Sequence, residues 1–383
     1  MAARTADFIV IGGGIAGVSA ACKLARHGKP VLLEAEEALS YHSTGRSAAL
    51  SHYGIGNRTV RGLTVFSRRF FERPPEGFSD APLCRPTKAL FVAREEMMEA
   101  LEQLFREMPR FTSTIKRTTE AEIQALCPVL KTGSDAIVAG VMDAGAVRLD
   151  PEALVQGFAR SAKAAGAEVL TGRRVAAVER QGDGWTVRTE DGDSFSAPIL
   201  INAAGAWADQ IAELAGVRPL GLFPLRRTLI FFDPPPDMDT RDWPFVKTAV
   251  DDFYMQHDAG RLMSSPVDEV ASDACDAQPE EYDVALAASK VEEYTTLEVR
   301  RVANRMAGLR SFVADRVPTA GFAPDAPGFF WLAGQGGYGL QTAPAMAEIV
   351  EALVTGGEWP SGLAALGVTR EKIGPQRLFS QKS

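Results

Sequence analysis

The chain has little with which to build a metal centre or a disulfide framework. Its four cysteines, Cys22, Cys84, Cys127 and Cys275, stand far apart with no CxxC spacing, and its four histidines are equally scattered. No metal site is expected, and a reducing cytoplasm suits this cysteine usage. An excess of positive charge is lacking too. Against 41 Lys and Arg there are 49 Asp and Glu, a net charge of −8, which offers no electrostatic footprint for nucleic acid or an anionic membrane. No stretch approaches the roughly 20 apolar residues that span a bilayer. The run from Phe8 to Ala21 behind Arg4 could pass for a secretory leader, but Gly12, Gly13 and Gly14 break it and Asp7 precedes it, so no leader is expected. Repeats and low-complexity tracts are missing as well. What is present, 46% hydrophobic and 23% charged residues over 383 positions, is the composition of a folded globular chain long enough for two or three domains.

The first motif comes at once. Phe8-Ile9-Val10-Ile11 is a short apolar, β-branched run suited to a buried parallel strand, and Ile15 to Arg26 has a small-residue helical pattern. Between them Gly12-x-Gly14-x-x-Gly17 is a dinucleotide fingerprint. One glycine makes the tight turn, one lets a pyrophosphate approach, and one lets the helix pack on the strand. Pro30 to Leu33 reads as the next strand, and Glu34 follows 20 residues after Gly14, where a carboxylate can accept ribose hydroxyls and would repel a 2′-phosphate.

Asp150-Pro151-Glu152 reads as a helix start, with Gly166 closing the helix. Strands are expected at Val169-Leu170, Val175 to Val178 and Trp185 to Val187, with turns at Gly182-Asp183-Gly184 and Asp191-Gly192. Pro198 to Ile201 is a further strand, running into the small-residue turn Asn202 to Trp207. From Leu225 to Ser264 the alternating pattern, broken by Pro234-Pro235-Pro236 and Asp258-Ala259-Gly260, reads as an antiparallel sheet and so as a separate substrate domain. A long amphipathic helix is expected from Pro279 to Arg300, a strand from Phe329 to Ala333, a glycine loop from Gly334 to Gly339 and a closing helix from Gln341 to Val354.

Taken together, the fingerprint with Glu34, the segment His42 to Ser47, the Asn202 to Trp207 turn, Ala307 to Arg310 and Gly334 to Gln341 resemble the D-amino-acid oxidase family of FAD enzymes, in particular its D-arginine dehydrogenase branch. The likeness runs in register over nearly the whole chain, through Pro219 to Leu222, Arg226-Arg227, Phe253-Tyr254 and Gly308 to Asp315. It implies an α/β (α+β overall) flavoprotein of the glutathione-reductase-like kind. A discontinuous Rossmann-like FAD-binding domain would take residues 1–85, 150–220 and 301–383, and an antiparallel-sheet substrate domain 86–149 and 221–300.

The implied cofactor is FAD, held noncovalently since Gly334 to Gln341 contain no cysteine. Its adenine half would lie on Gly12, Gly14, Ala16, Gly17, Glu34 and Ala35, with Val175 touching the adenine through its backbone. Ser43, Thr44, Arg46, Ser47, Ala48 and Ala49 would run beside the pyrophosphate and flavin, joined by Ala204, Gly205, Trp207 and Gly308. Gly336, Gly337, Tyr338, Gly339, Leu340 and Gln341 complete the implied set. There, glycines let backbone amides approach a ring, and the following helix start favours the negative charge of a reduced flavin.

For the substrate the resemblance points to Arg310, whose planar fork matches a carboxylate. Arg227 and Tyr254 would line the same pocket, with the Gly337 carbonyl and the Gln341 amide near the substrate amine and the flavin. The chain also departs from the branch. Leu50, Ile55 and Ala89 stand where D-arginine dehydrogenase carries a histidine, a tyrosine and a glutamate, so the partner for a basic side chain is gone and an apolar wall is expected. His52, Tyr53 and Lys88 are its polar neighbours, and His42 and His52 are the histidines of the region.

The implied activity is FAD-dependent oxidative deamination of a D-amino acid, neutral or apolar rather than basic. Hydride passes from Cα to flavin N5, and the imino acid hydrolyses to a 2-oxo acid. The acceptor is open between O2, a quinone and others. Two alternatives stand beside this: a 2-hydroxy-acid dehydrogenase, which needs a base the sequence does not display, and a non-catalytic flavin-binding subunit of a larger assembly.

Overall fold

The computed structural model describes residues 3–379. Its centre is a six-stranded sheet in the order Glu168–Leu170, Pro30–Leu33, Phe8–Ile11, Ile199–Asn202, Phe329–Ala333, Thr319–Phe322. The first five strands are parallel and the last is antiparallel. Phe8–Ile11, Pro30–Leu33 and Phe329–Ala333 are buried throughout, as expected of strands covered on both faces. Period-2 geometry divides their side chains. Val10 and Leu32 face one core with the helices Ile15–Leu24, Pro151–Ala164 and Gly339–Thr355. Ile9, Ile11, Val31 and Leu33 face another, built with Trp185, Val187, Phe195 and the helix Ala208–Leu214. Trp185, Val187 and Phe195 come from a four-stranded sheet that contains the meander Val175–Gln181, Gly184–Thr189, Ser194–Ala197.

Local signals acted as the sequence suggests at most junctions. Asp150 accepts from the Ala153 amide at 2.9 Å to start its helix, with Pro151 at the first helical position. The helix expected over Pro279 to Arg300 is shorter, Glu281–Tyr294. Thr295 ends it: its hydroxyl donates to the Val291 carbonyl at 2.7 Å and accepts from the Leu297 amide at 3.1 Å, a turn that competes with helix continuation.

The second sheet has nine strands, eight drawn from the 86–149 and 221–300 spans and the ninth, Asn304–Phe312, from the 301–383 segment expected in the FAD-binding domain, which joins here because it pairs along Phe223–Phe232. It is antiparallel except where Ala89–Ala93 and Phe245–Thr248 run parallel. Its long seam matters for function. Asn304–Phe312 pairs with Phe223–Phe232 over nine residue pairs and brings Gly308 and Arg310 against Arg46, with Arg310 lining a cavity together with Gly14, Ser43 and Gly337.

Candidate active site

The cofactor groove starts at the glycine turn. Gly12 has φ +108°, and a Cβ there would lie 2.4 Å from the Ala203 carbonyl oxygen. A Cβ on Gly17 would lie 1.8 Å from the Gly12 oxygen, so Gly17 serves the helix–strand contact and does not line the groove. Glu34 accepts from the Gly13 amide at 2.5 Å and from the Glu36 amide at 2.8 Å, which fixes its carboxylate beside the turn. Around it is a cavity of about 340 Å3 walled by Gly12, Gly14, Glu34, Ala35, Ser43, Thr44, Val175, Ala204, Gly205 and Trp207. A narrower one of about 110 Å3 continues inward along Gly14, Ala16, Ser43, Thr44, Ser47, Gly336, Gly337, Gly339 and Leu340. The two share Gly14, Ser43, Thr44 and Gly205, so they form one groove.

These residues fit FAD. The groove is long and open to main-chain amides, begins at a helix N-terminus, and has an acid at the ribose position. At its inner end the Gln335 Nε2 is buried without a hydrogen-bond partner, and Gly337 offers no side chain.

Other residues of the expected set sit behind the groove wall. Arg46 donates to the Ala277 and Ala307 carbonyls at 2.9 and 3.1 Å and pairs with Asp276 at 2.6 Å, while its own carbonyl accepts from Arg310 Nη2 at 2.8 Å. It therefore positions Arg310. Gly308 does so by omission, since a Cβ there would lie 2.8 Å from Arg310 Nη1. The Ala48 carbonyl accepts from Gln256 Nε2 at 2.9 Å, and Ala49 is buried with φ +53°. Gln341 is a buried strut: its amide donates to Thr64 Oγ1 at 3.0 Å and its oxygen accepts from the His52 amide at 3.3 Å. Tyr338 lines the neighbouring cavity and donates its hydroxyl to the Arg316 carbonyl.

That neighbouring cavity, about 660 Å3, meets the groove at Arg310 and Gly337. Arg310 is 6% exposed, and its Nη1 has no hydrogen-bond partner. Burial pushes its pKa down to about 10, so it stays cationic at neutral pH. Arg227 lines the same cavity, tethered by Nε to the Asp268 carbonyl at 2.8 Å. Tyr254 is buried beside them without lining the cavity. Burial raises its phenol pKa, against the opposing pull of Arg227 and Arg310, which keeps the hydroxyl protonated.

The expected apolar wall is not assembled. Of its three members only Ile55 lines the cavity. Ala89 is fully buried inside its strand, Leu50 pairs with Arg148 in a short strand pair, and Lys88 is exposed. Charge takes its place, from Arg58, Arg61, Lys247 and Arg316 with Glu107, Asp251 and Glu269, none of which sequence reasoning singled out. One signal was available: Asn57 caps the helix Arg58–Glu72, and two arginines with no acid in its first turn oppose the helix dipole.

Neither histidine of the region provides a base in this cavity. The His52 ring packs near Phe91 and Phe245, its Nδ1 accepts from the Gly54 amide at 3.1 Å, and burial together with Lys247 and Arg61 holds it well below the usual imidazole range. His42 lies on the cofactor side, bonded to Glu36 at 3.1 Å and beside Trp207.

Residues 7–353 match the family model described as DAO, FAD dependent oxidoreductase. The chain is 25% identical over 372 residues to the uncharacterized oxidoreductase YurR of Bacillus subtilis (strain 168), covering 91% of this chain and 95% of that one. In fold it is similar to the FAD-bound L-α-glycerophosphate oxidase of Mycoplasma pneumoniae, with a TM-score of 0.81, 21% identity and 92% and 95% of the two chains covered. It is similar also to the glycine oxidase of Geobacillus kaustophilus, with a TM-score of 0.81, 19% identity and 96% and 99% covered.

Proposed function

The chain belongs to the DAO family of FAD-dependent oxidoreductases, and from that premise we propose that it oxidatively deaminates an α-amino acid of D configuration whose side chain is not basic. The observation that carries the reading is Arg310: a buried guanidinium with a free Nη1 where the flavin end of the groove meets the cavity. A carboxylate there gains a charge-assisted hydrogen bond in a site of low dielectric, and the pairing fixes how Cα is presented. Arg46 and Gly308 hold the guanidinium in place. FAD, which the groove from Gly12 through Glu34 to Gly337 would hold, would supply the two-electron oxidant for the substrate's Cα–N bond, and water would hydrolyse the resulting imino acid. An amine that arrives neutral needs no enzymic base, which agrees with a cavity whose carboxylates are all held in ion pairs and whose nearby histidine is kept neutral by burial.

The likeness to D-arginine dehydrogenase enters only through the D configuration, since the cationic wall repels arginine and lysine side chains. An apolar preference has no support from that wall. We further propose noncovalent FAD, released on denaturation, an FAD-binding domain of 1–85, 150–220 and 301–383 against a substrate-binding domain of 86–149 and 221–300, whose sheet the strand Asn304–Phe312 joins, and a reducing compartment, in keeping with four free thiols.

Anaerobic titration of the FAD-loaded protein tests the reading. Bleaching by D-amino acids and not by L-amino acids or 2-hydroxy acids is the expected result. Bleaching by hydroxy acids alone would overturn it in favour of a 2-hydroxy-acid dehydrogenase. A flavin that binds carboxylates but is bleached by none of the three classes would mark a non-catalytic subunit. Colour that stays with the denatured chain would overturn noncovalent binding.

A further inference from the structure

Most charges in the substrate cavity are spoken for. Arg58 holds Glu107 through two bonds of 2.8 and 2.9 Å. Glu269 is shared by Arg316 at 2.7 Å and Arg227 at 3.4 Å. Lys247 pairs with Asp251, and Asp315 is turned to Arg377 at 2.7 Å. Two guanidiniums are left over. One is Arg310, with its free Nη1; the other is Arg61, whose Nε is buried without a hydrogen-bond partner and which makes no ion pair among the described residues. The two come from separate elements, the helix Arg58–Glu72 and the strand Asn304–Phe312, and face one cavity of about 660 Å3. Guanidinium nitrogens buried without a hydrogen-bond partner are unfavourable until an anion arrives. In a chain of net charge −8 this local surplus stands against the average.

We infer that the substrate carries a second carboxylate: the α-carboxylate on Arg310 and a distal side-chain carboxylate at Arg61, as in an amino acid of the aspartate or glutamate kind. The inference rests on the reading of Arg310 as the α-carboxylate anchor and specifies the side chain that reading leaves open. A neutral side chain leaves Arg61 unpaired, and a basic one adds a third cation. Only an acidic one neutralises both guanidiniums.

The test uses FAD-loaded protein and two non-oxidisable probes, butanoate with one carboxylate and glutarate with two, each followed by the change in flavin absorbance. Glutarate is expected to bind at least about tenfold tighter than butanoate, the scale of one charge-assisted pair. Arg61→Met is expected to bring the two within about twofold. Arg61→Lys, which keeps the charge and the helix, retains part of the preference. In turnover, kcat/KM for D-glutamate or D-aspartate should exceed that for D-norvaline by a similar factor and lose that advantage in Arg61→Met. Equal binding of the two probes by wild type would overturn the second carboxylate while leaving Arg310 as anchor. If neither probe perturbs the flavin, the anchor itself is wrong and the inference falls with it.

Discussion

The cofactor groove and the substrate cavity meet at Arg310, yet they are made of different materials. The groove is mostly main chain: a turn at Gly12, a helix start at Gly14, a glycine loop at Gly334 to Gly339, and a single acid, Glu34, held by two backbone amides. The cavity is side chain, with cations and carboxylates gathered from 55–61, 107, 227, 247–251, 267–269 and 310–316. A main-chain site tolerates no added atom at its contacts but is indifferent to much of the sequence around it. A side-chain site keeps its backbone through many substitutions and changes what it binds with each one.

The sharpest way to break the comparison is at the groove, where the effect should be largest. In Gly17→Ala the new Cβ meets the Gly12 oxygen at 1.8 Å, a backbone atom that cannot yield without moving the strand. Destabilisation above about 4 kcal/mol, with loss of flavin, is expected. Flavin content and Tm measured on the purified variant decide it; wild-type values for both would show that the turn is not the rigid element described.

Arg310→Met probes the junction and should be next in size. Leaving a substrate carboxylate without its partner costs about 3 kcal/mol, roughly a hundredfold or more in kcat/KM, while flavin content stays close to wild type. Stability should move the other way. The wild-type guanidinium is buried with Nη1 unpaired, and replacing such a charge by an apolar chain of similar length contributes on the order of 1 kcal/mol. Lower activity with an equal or higher Tm is the signature of a residue kept for binding. Wild-type kcat/KM would remove Arg310 from the site.

Sequence was a better guide to the groove than to the cavity, and the two building materials explain why. Gly12, Gly14, Gly17 and Glu34 lie within one strand–turn–helix–strand unit, so their spacing is itself the geometry. Gly336 to Leu340 sit at a loop-to-helix junction visible for the same reason. The cavity depends on which way side chains point across a nine-stranded sheet, which no local pattern reveals. Ala89, aligned with a substrate contact in the resembled branch, is buried in its strand. Arg61, never singled out, reaches the cavity because Asn57 starts a helix at that point. Gln341 and Arg46 show the intermediate case, in which the residue was found but its role is support: Gln341 ties two segments together and Arg46 holds the guanidinium.

The smallest effect expected sharpens the comparison from the side-chain half, through pH. His52 is fully enclosed near Phe91 and Phe245, with Lys247 and Arg61 adding to the penalty on its charged form, so its folded pKa lies well below the usual imidazole value of about 6.5. In the unfolded chain the ring takes up a proton as pH falls through about 6.5, whereas in the folded chain it does not. The unfolded state then binds more protons. Stability from this group is therefore fully present above about pH 6.5 and is lost as pH falls below it, at a limiting slope of about 1.4 kcal/mol per pH unit. His52→Asn keeps an acceptor for the Gly54 amide and removes the titration. Urea midpoints across pH 5 to 7.5 should show wild type losing more stability than the variant toward acid, with the difference vanishing at neutral pH. Carboxylates elsewhere contribute equally to both proteins and cancel, so parallel profiles would mean that the ring takes up its proton in the folded chain. The enclosure by Lys247 and Arg61 would then be looser than the structure describes.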